Sequence, residues 1–198
     1  CDRRQRQMCI RDSFSTLYQK AMEGDKDCGG MIACNYYSGE PVTGLEEGRP
    51  MFLRRPDSHL GLANFMRSHL YASLATLKIG LDILLKEEDV KIDSITGHGG
   101  LFKTKGVGQS ILAAAMNAPI SVMETAGEGG AWGMALLAAY MLFKKDGQSL
   151  GDYLDSRVFA ERKSETMEPD PADVAGFETY TKQYQACLAA EKAAVQAF

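Results

Sequence analysis

The residues whose types and spacing could do chemistry lie between Lys91 and Asn117, in KIDSITGHGGLFKTKGVGQSILAAAMN. A short apolar run (Val90, Ile92, Ile95) breaks into Gly97-His98-Gly99-Gly100, and a helical pattern begins at about Val107. A strand that enters a glycine turn and then a helix is suited to holding an anion. Glycine lets the backbone come close to a phosphate, and the N–H groups of the turn and of the next helix end can point at it. His98 is a lone loop histidine, which is more often incidental than a ligand.

Two familiar phosphate motifs do not fit. A Walker A loop needs Gly-Lys-Ser/Thr after its spacer, whereas Lys103-Thr104 follows Phe102. A dinucleotide fingerprint started at Gly97 and Gly99 needs a small residue where Phe102 stands, and it normally opens a domain.

The elements that must position this loop follow from periodicity. Phe14–Glu23 is expected as a short helix and Met31–Tyr37 as a mostly buried strand. Ser38–Pro50, with three glycines and two prolines, is expected as a loop, and Met51–Arg54 as a further short strand. Leu60–Glu88 is the longest expected helix, with a stripe of Leu62, Met66, Leu70, Leu74, Leu77, Leu81 and Leu84. Asp57 or Ser58 is its expected N-cap, and Arg67, Lys78 and Lys86 fall off the stripe. Pro119–Met123 is expected as a strand. A helix from Gly127-Glu128-Gly129-Gly130 to Phe143 should be buried, with Trp132 in the core.

Leu150–Phe159 is expected as a short helix and Ala160–Pro171 as an acidic loop. Asp170-Pro171 should open a last helix as cap and first residue, with Glu191 interrupting its apolar stripe. The alternation of helices and strands implies an α/β layer. Cys1–Ser13 has no period and resembles translated adapter sequence. It is set aside as a non-native or disordered tail, leaving 14–198 as the domain.

Composition narrows the class. The 198 residues suit one sizeable domain, and 45% apolar with 24% charged residues is ordinary for a globular protein. A formal charge of −4 argues against a nucleic-acid or anionic-membrane surface. Five cysteines without a CxxC pair read as reduced thiols, favouring the cytoplasm. The apolar run Ala131–Phe143 is too short to span a bilayer, and His59 and His69 lack a partner at metal-ligand spacing.

Ile95–Lys105, Leu112–Ile120 and Glu128–Ala139 together resemble the C-terminal domain of the FGGY family of carbohydrate kinases. The resemblance is carried by Gly99-Gly100, Gln109, Ala113-Ala114, Pro119-Ile120, Glu128 and Ala131-Trp132-Gly133-Met134-Ala135. Gly30–Pro50 looks like the family segment that leads into a Gly-Glu-Arg-Pro-like loop. Ala114 stands where the family usually has aspartate.

The resemblance implies the C-terminal domain of an actin-like, ribonuclease-H-like ATPase, with three or more strands and packed helices. It also implies ATP and Mg²⁺ as cofactors. Gly99 and Gly100 would lie against ribose and α-phosphate, Thr104 near the adenine and Lys103 toward phosphate. The expected reaction is γ-phosphoryl transfer to a sugar hydroxyl, a pentulose such as xylulose being the leading substrate. The catalytic aspartate belongs to the family's N-terminal domain, through which the sugar would bind. No catalytic or metal-ligating residue is therefore expected in this chain. Homodimerisation is allowed, while nucleic-acid and membrane partners are not expected. The competing reading is a non-catalytic actin-like nucleotide-binding or interaction module.

Overall fold

The computed structural model describes residues 3–92, 95–123, 129–160 and 164–197, with only the backbone at 3–8 and 11. Glu128 and residues 161–163 lie outside the described residues.

The chain opens with α1 (Arg3–Ala21), then β1 (Met31–Cys34) and β2 (Met51–Arg54), which pair antiparallel with Met31 opposite Arg54 and Cys34 opposite Met51. All four residues of β1 are buried, as expected for an apolar run without alternation. α1 begins inside the stretch set aside as a tail. Its side chains at Cys9, Ile10, Asp12 and Ser13 are exposed, and it reaches the core through Tyr18 and Ala21.

The long helix α2 (Leu62–Lys86) starts at Gly61, which offers no side-chain cap. The cap expected at Asp57 or Ser58 is not used. Ser58 Oγ instead donates to the Gly30 carbonyl at 2.9 Å, and Asp57 pairs with Arg55 at 3.2 Å. The buried face also differs from the leucine stripe. Asn64, Arg67, Ser68, Leu70, Tyr71, Ala72, Leu74 and Ala75 are buried, whereas Leu62, Leu77 and Leu84 are exposed.

Arg67, read as off the stripe, has no solvent access. Its guanidinium pairs with Asp173, donates to Tyr71 Oη (3.1 and 2.9 Å) and approaches the carbonyls of Ala21, Met22 and Gly24 at 3.4–3.5 Å. Lys26 Nζ reaches Asp173 at 2.7 Å. A buried arginine persists when its donors are satisfied, and these partners come from three separate parts of the chain.

The second sheet has the order β3-β4-β5. β3 (Ile95–Gly97) runs parallel to β4 (Ile120–Met123), with α3 (Val107–Met116) as the crossover between them. β5 (Ser164–Met167) adds antiparallel to β4, a strand where the sequence reads as an acidic loop. Every residue of α3 except Ser110 is buried.

α4 (Gly129–Phe143) corrects the expectation of a buried helix. None of its residues is buried, Met134, Met141, Leu142 and Phe143 are exposed, and Trp132 is half-buried against Phe159. A helix apolar around its whole circumference needs cover on all sides. Its ring contacts run to α5 (Leu150–Tyr153) and the π turn Leu154–Val158 with its cap Phe159, including Tyr140 with Tyr153 at 5.5 Å.

α6 (Pro171–Ala197) is capped as expected, Asp170 Oδ1 accepting from the N–H groups of Ala172 (2.9 Å) and Asp173 (3.0 Å). Glu191 does not interrupt the helix. It is fully buried, and its Oε1 accepts from the Arg49 N–H at 2.5 Å. The core joins β1, α2, α3 and α6 through Ile32, Tyr71, Ile111, Phe177 and Tyr180.

Replacing Asp173 with alanine leaves Arg67 buried without its carboxylate, and the unfolding free energy should fall by about 3–5 kcal/mol. Replacing both residues (Arg67→Met with Asp173→Leu) should cost less than Asp173→Ala alone. Urea unfolding of the three variants beside the parent measures both; a single variant within ~1 kcal/mol of the parent would remove the pair from this role.

Candidate functional site

β3 ends at Gly97, which is buried with no room for a side chain. A Cβ there would collide with the Phe102 ring, which folds back over it. The turn is closed by the Phe102 N–H donating to the Gly99 carbonyl at 3.1 Å. Gly99 holds φ 112° and ψ −175°, a conformation open essentially to glycine alone. Among the described residues, a Cβ added at Gly99 or Gly100 would meet nothing within 4 Å. The backbone on this side of the turn therefore faces open space.

A short 3-10 turn, Gly100–Lys103, carries the chain to Thr104, and α3 begins after Gly106 in the left-handed region (φ 80°). No side chain caps that helix end. The first of its N–H groups, at Val107, donates to the Thr104 carbonyl at 3.3 Å, and the helix dipole adds partial positive charge at this end. Gly108 admits no Cβ, because the Leu101 carbonyl lies 2.6 Å from the place it would take. This contact fixes the 3-10 turn against the helix.

Beside the turn lies a cleft of about 580 Å³, lined on one wall by Phe102–Gly106 and Gln109 and on the other by Val122, Met123, Ser164 and Glu165. Thr104 is buried at its base, while Lys105 at the rim meets Glu165 at 3.5 Å across it. Gln109 spans the floor, its Nε2 donating to the carbonyls of Ile120 (2.7 Å) and Glu165 (2.8 Å). Both amide hydrogens are used in this way. Gln109 therefore holds β5 against β4 and shapes the wall rather than offering a donor to a ligand.

Lys103 and Thr104 thus line the cleft, whereas Gly99 and Gly100 stand at the preceding turn and do not line it. His98 lies toward α4, 3.4 Å from where a Cβ on Gly129 would sit. Of the other two histidines, His59 has a partner that local spacing does not reveal. Its Nδ1 lies 3.0 Å from Asp25 Oδ2, which also accepts from Asn64 Nδ2 at 3.0 Å. These hydrogen bonds, from Asn64 first and His59 second, hold the Asp25 carboxyl below its ordinary pKa. His69 packs against Phe65 and Phe52, and burial lowers its pKa.

Sequence reading missed Ser164 and Glu165, because four residues reading Ser-Glu-Thr-Met carry no strand period strong enough to stand out from an acidic loop. Among the described residues, no group of three histidine, cysteine, aspartate or glutamate side chains could hold a metal ion.

The family model for the C-terminal domain of the FGGY carbohydrate kinases matches residues 3–142, most of the chain. The chain belongs to the FGGY family of carbohydrate kinases. The match spans the glycine turn, α3 and α4, and ends before α5, β5 and α6. Comparison with curated protein sequences yields no match.

Solved FGGY-type folds extend the likeness further along the chain. A xylulose kinase from Rhodospirillum rubrum superposes with a TM-score of 0.62 at 19% identity, covering 91% of this chain and 34% of its own. A gluconate kinase from Lactobacillus acidophilus gives 0.65 at 19% identity, covering 88% and 34%. A glycerol kinase from Plasmodium falciparum, solved with ADP, gives 0.61 at 17% identity, covering 89% and 33%. At this identity the likeness is one of fold, the actin-like ATPase fold expected from sequence. The chain spans about a third of the length of these kinases.

The turn separates two kinds of glycine. Gly97→Ala should cost about 1–3 kcal/mol through overpacking against Phe102. Gly100→Ala, facing open space, should stay within about 0.5 kcal/mol of the parent. Thermal or urea unfolding of the pair checks this, and a destabilised Gly100→Ala would show that the turn itself, not the space before it, needs that glycine.

Proposed function

We propose that this domain is the ATP-binding half of a carbohydrate kinase. One observation carries the reading: a turn that only glycine can form presents bare backbone to open space, just before a helix end without a side-chain cap. A polyphosphate fits that arrangement, since close approach to the backbone and a positive helix end are what it needs. Gly99 and Gly100 would face the ribose and α-phosphate. Thr104 would meet the nucleoside side, and Lys103 would reach toward phosphate from the cleft wall.

The chemistry supplied by bound Mg²⁺–ATP is in-line transfer of the γ-phosphoryl group to a sugar hydroxyl. The residues of this chain bind and orient; the general base that takes the hydroxyl proton is assigned to the other half of the kinase. The 198 residues on their own should therefore bind nucleotide without turning over sugar. A pentulose such as xylulose is the proposed acceptor, on the xylulose kinases among the structural relatives. The free thiols at Cys9, Cys28, Cys34 and Cys187 suit a cytoplasmic enzyme. Among the described residues no helix is long and apolar enough to cross a membrane.

Titration with ADP by calorimetry, parent beside Gly100→Val, tests the placement. The parent should bind weakly, because the opposing domain contributes no contacts, and Gly100→Val should weaken binding at least about tenfold, or ~1.4 kcal/mol. Its melting temperature should stay near the parent's. Equal binding by the two proteins would overturn the placement. Sugar phosphorylation by the 198 residues alone would overturn the division of labour between the halves.

A further inference from the structure

α4 is covered along one side. Trp132 and Tyr140 turn toward Phe159 and Tyr153, and Leu136 falls on the same side between them, half-buried. The opposite face carries Met134, Leu137, Ala138, Met141 and Leu142, all exposed. That spacing is the one a helix shows toward a core. Met134, Met141 and Leu142 keep 69%, 77% and 77% of their surface in water. Gly129–Phe143 contains no charged residue, so nothing on this face makes its exposure favourable. Monomeric proteins rarely leave more than a few hundred Å² of contiguous apolar surface in water. This face offers roughly 600 Å², so two copies joined through it would bury roughly 1,200 Å², the lower end of specific, stable interfaces.

The face also extends away from the glycine turn. His98 beside Gly129 places the start of α4 at that turn, and Met141 stands about 18 Å further along the helix. On the reading proposed above, the other half of the kinase closes over the turn, where it would meet the start of α4 and not its far end.

We propose that this face binds a second copy of the chain, in a two-fold symmetric dimer whose α4 helices cross antiparallel at Ala138. A second copy presents an equal, uncharged face, and a two-fold interface is self-complementary. The small side chain of Ala138 lets the helices approach at the axis. Met134 of one copy then packs against Met141 of the other, once on each side of the axis. Antiparallel crossing opposes the helix dipoles and keeps Lys144 and Lys145 of the two copies at opposite ends.

Sedimentation equilibrium of the 198-residue chain, kept in dithiothreitol, tests this. The expected result is a monomer–dimer equilibrium with a dissociation constant on the order of 10 μM. Met134→Lys and Met141→Glu each place a charge at an exposed position, so the fold should persist by circular dichroism. Each should weaken association at least about tenfold, since the charge would be buried against methionine. Mixed one to one, the two variants should regain dimers, because the introduced lysine then meets the introduced glutamate and Met141 meets Met134. A parent that stays monomeric would overturn the proposal and leave the face to the other half of the kinase. Association left unchanged by Met141→Glu would overturn it by placing the interface elsewhere, and a mixture that stays monomeric would overturn the antiparallel register. None of these readouts involves nucleotide, so failure here leaves the nucleotide placement standing, and failure of that placement leaves the dimer standing.

Discussion

The buried pair of Arg67 and Asp173 is the constraint on which the rest of the structure depends. Arg67 sits on α2, Asp173 in the first turn of α6, and the guanidinium also reaches the carbonyls that end α1. Removing two charges from water is costly, so the arrangement survives only while every donor has an acceptor. Tyr71 takes two of the arginine N–H groups and Lys26 adds a second cation to the carboxylate. α6 comes so close to the chain at Lys26 that only glycine fits at position 176. Helix ends distant in sequence are thus fixed to one point, and the α2–α6 layer on which α3 packs is set by it.

From that layer the cleft follows in order. α3 is buried almost throughout, so its first turn cannot shift without disturbing the core. Gln109, on that first turn, ties the ends of β4 and β5 to it by two short hydrogen bonds. The floor of the cleft is therefore as rigid as the core, while its rim carries long charged side chains in water. Rigid backbone beside adaptable charge suits a ligand whose phosphates are read by backbone groups and whose outer charge is met by lysine.

Much of this was legible in the residues. The glycine turn, the start of α3 at Val107 and the end of α4 at Phe143 follow from glycine punctuation and helical period, and the Asp170-Pro171 opening of α6 follows from cap chemistry. What escaped were side chains whose placement depends on a distant partner. Arg67 read as off the apolar stripe of α2 and Glu191 as a break in that of α6, yet both are buried since Asp173 and the Arg49 N–H meet them there. β5 escaped because an edge strand with mixed polarity takes its conformation from pairing with β4 rather than from its own pattern. Within the site, Lys103 and Thr104 fall on the cleft wall, whereas Glu165 enters it only through that pairing. α4 escaped in the other direction: its composition promises burial, and burial depends on what lies beside it.

The two adjacent glycines of the turn answer to different demands. At Gly99 the backbone itself forbids a side chain, whereas at Gly100 nothing among the described residues occupies the place a side chain would take. A lineage held only to folding would keep the first and let the second drift to alanine, serine or anything small. Folding therefore accounts for glycine at position 99 and does not account for it at position 100.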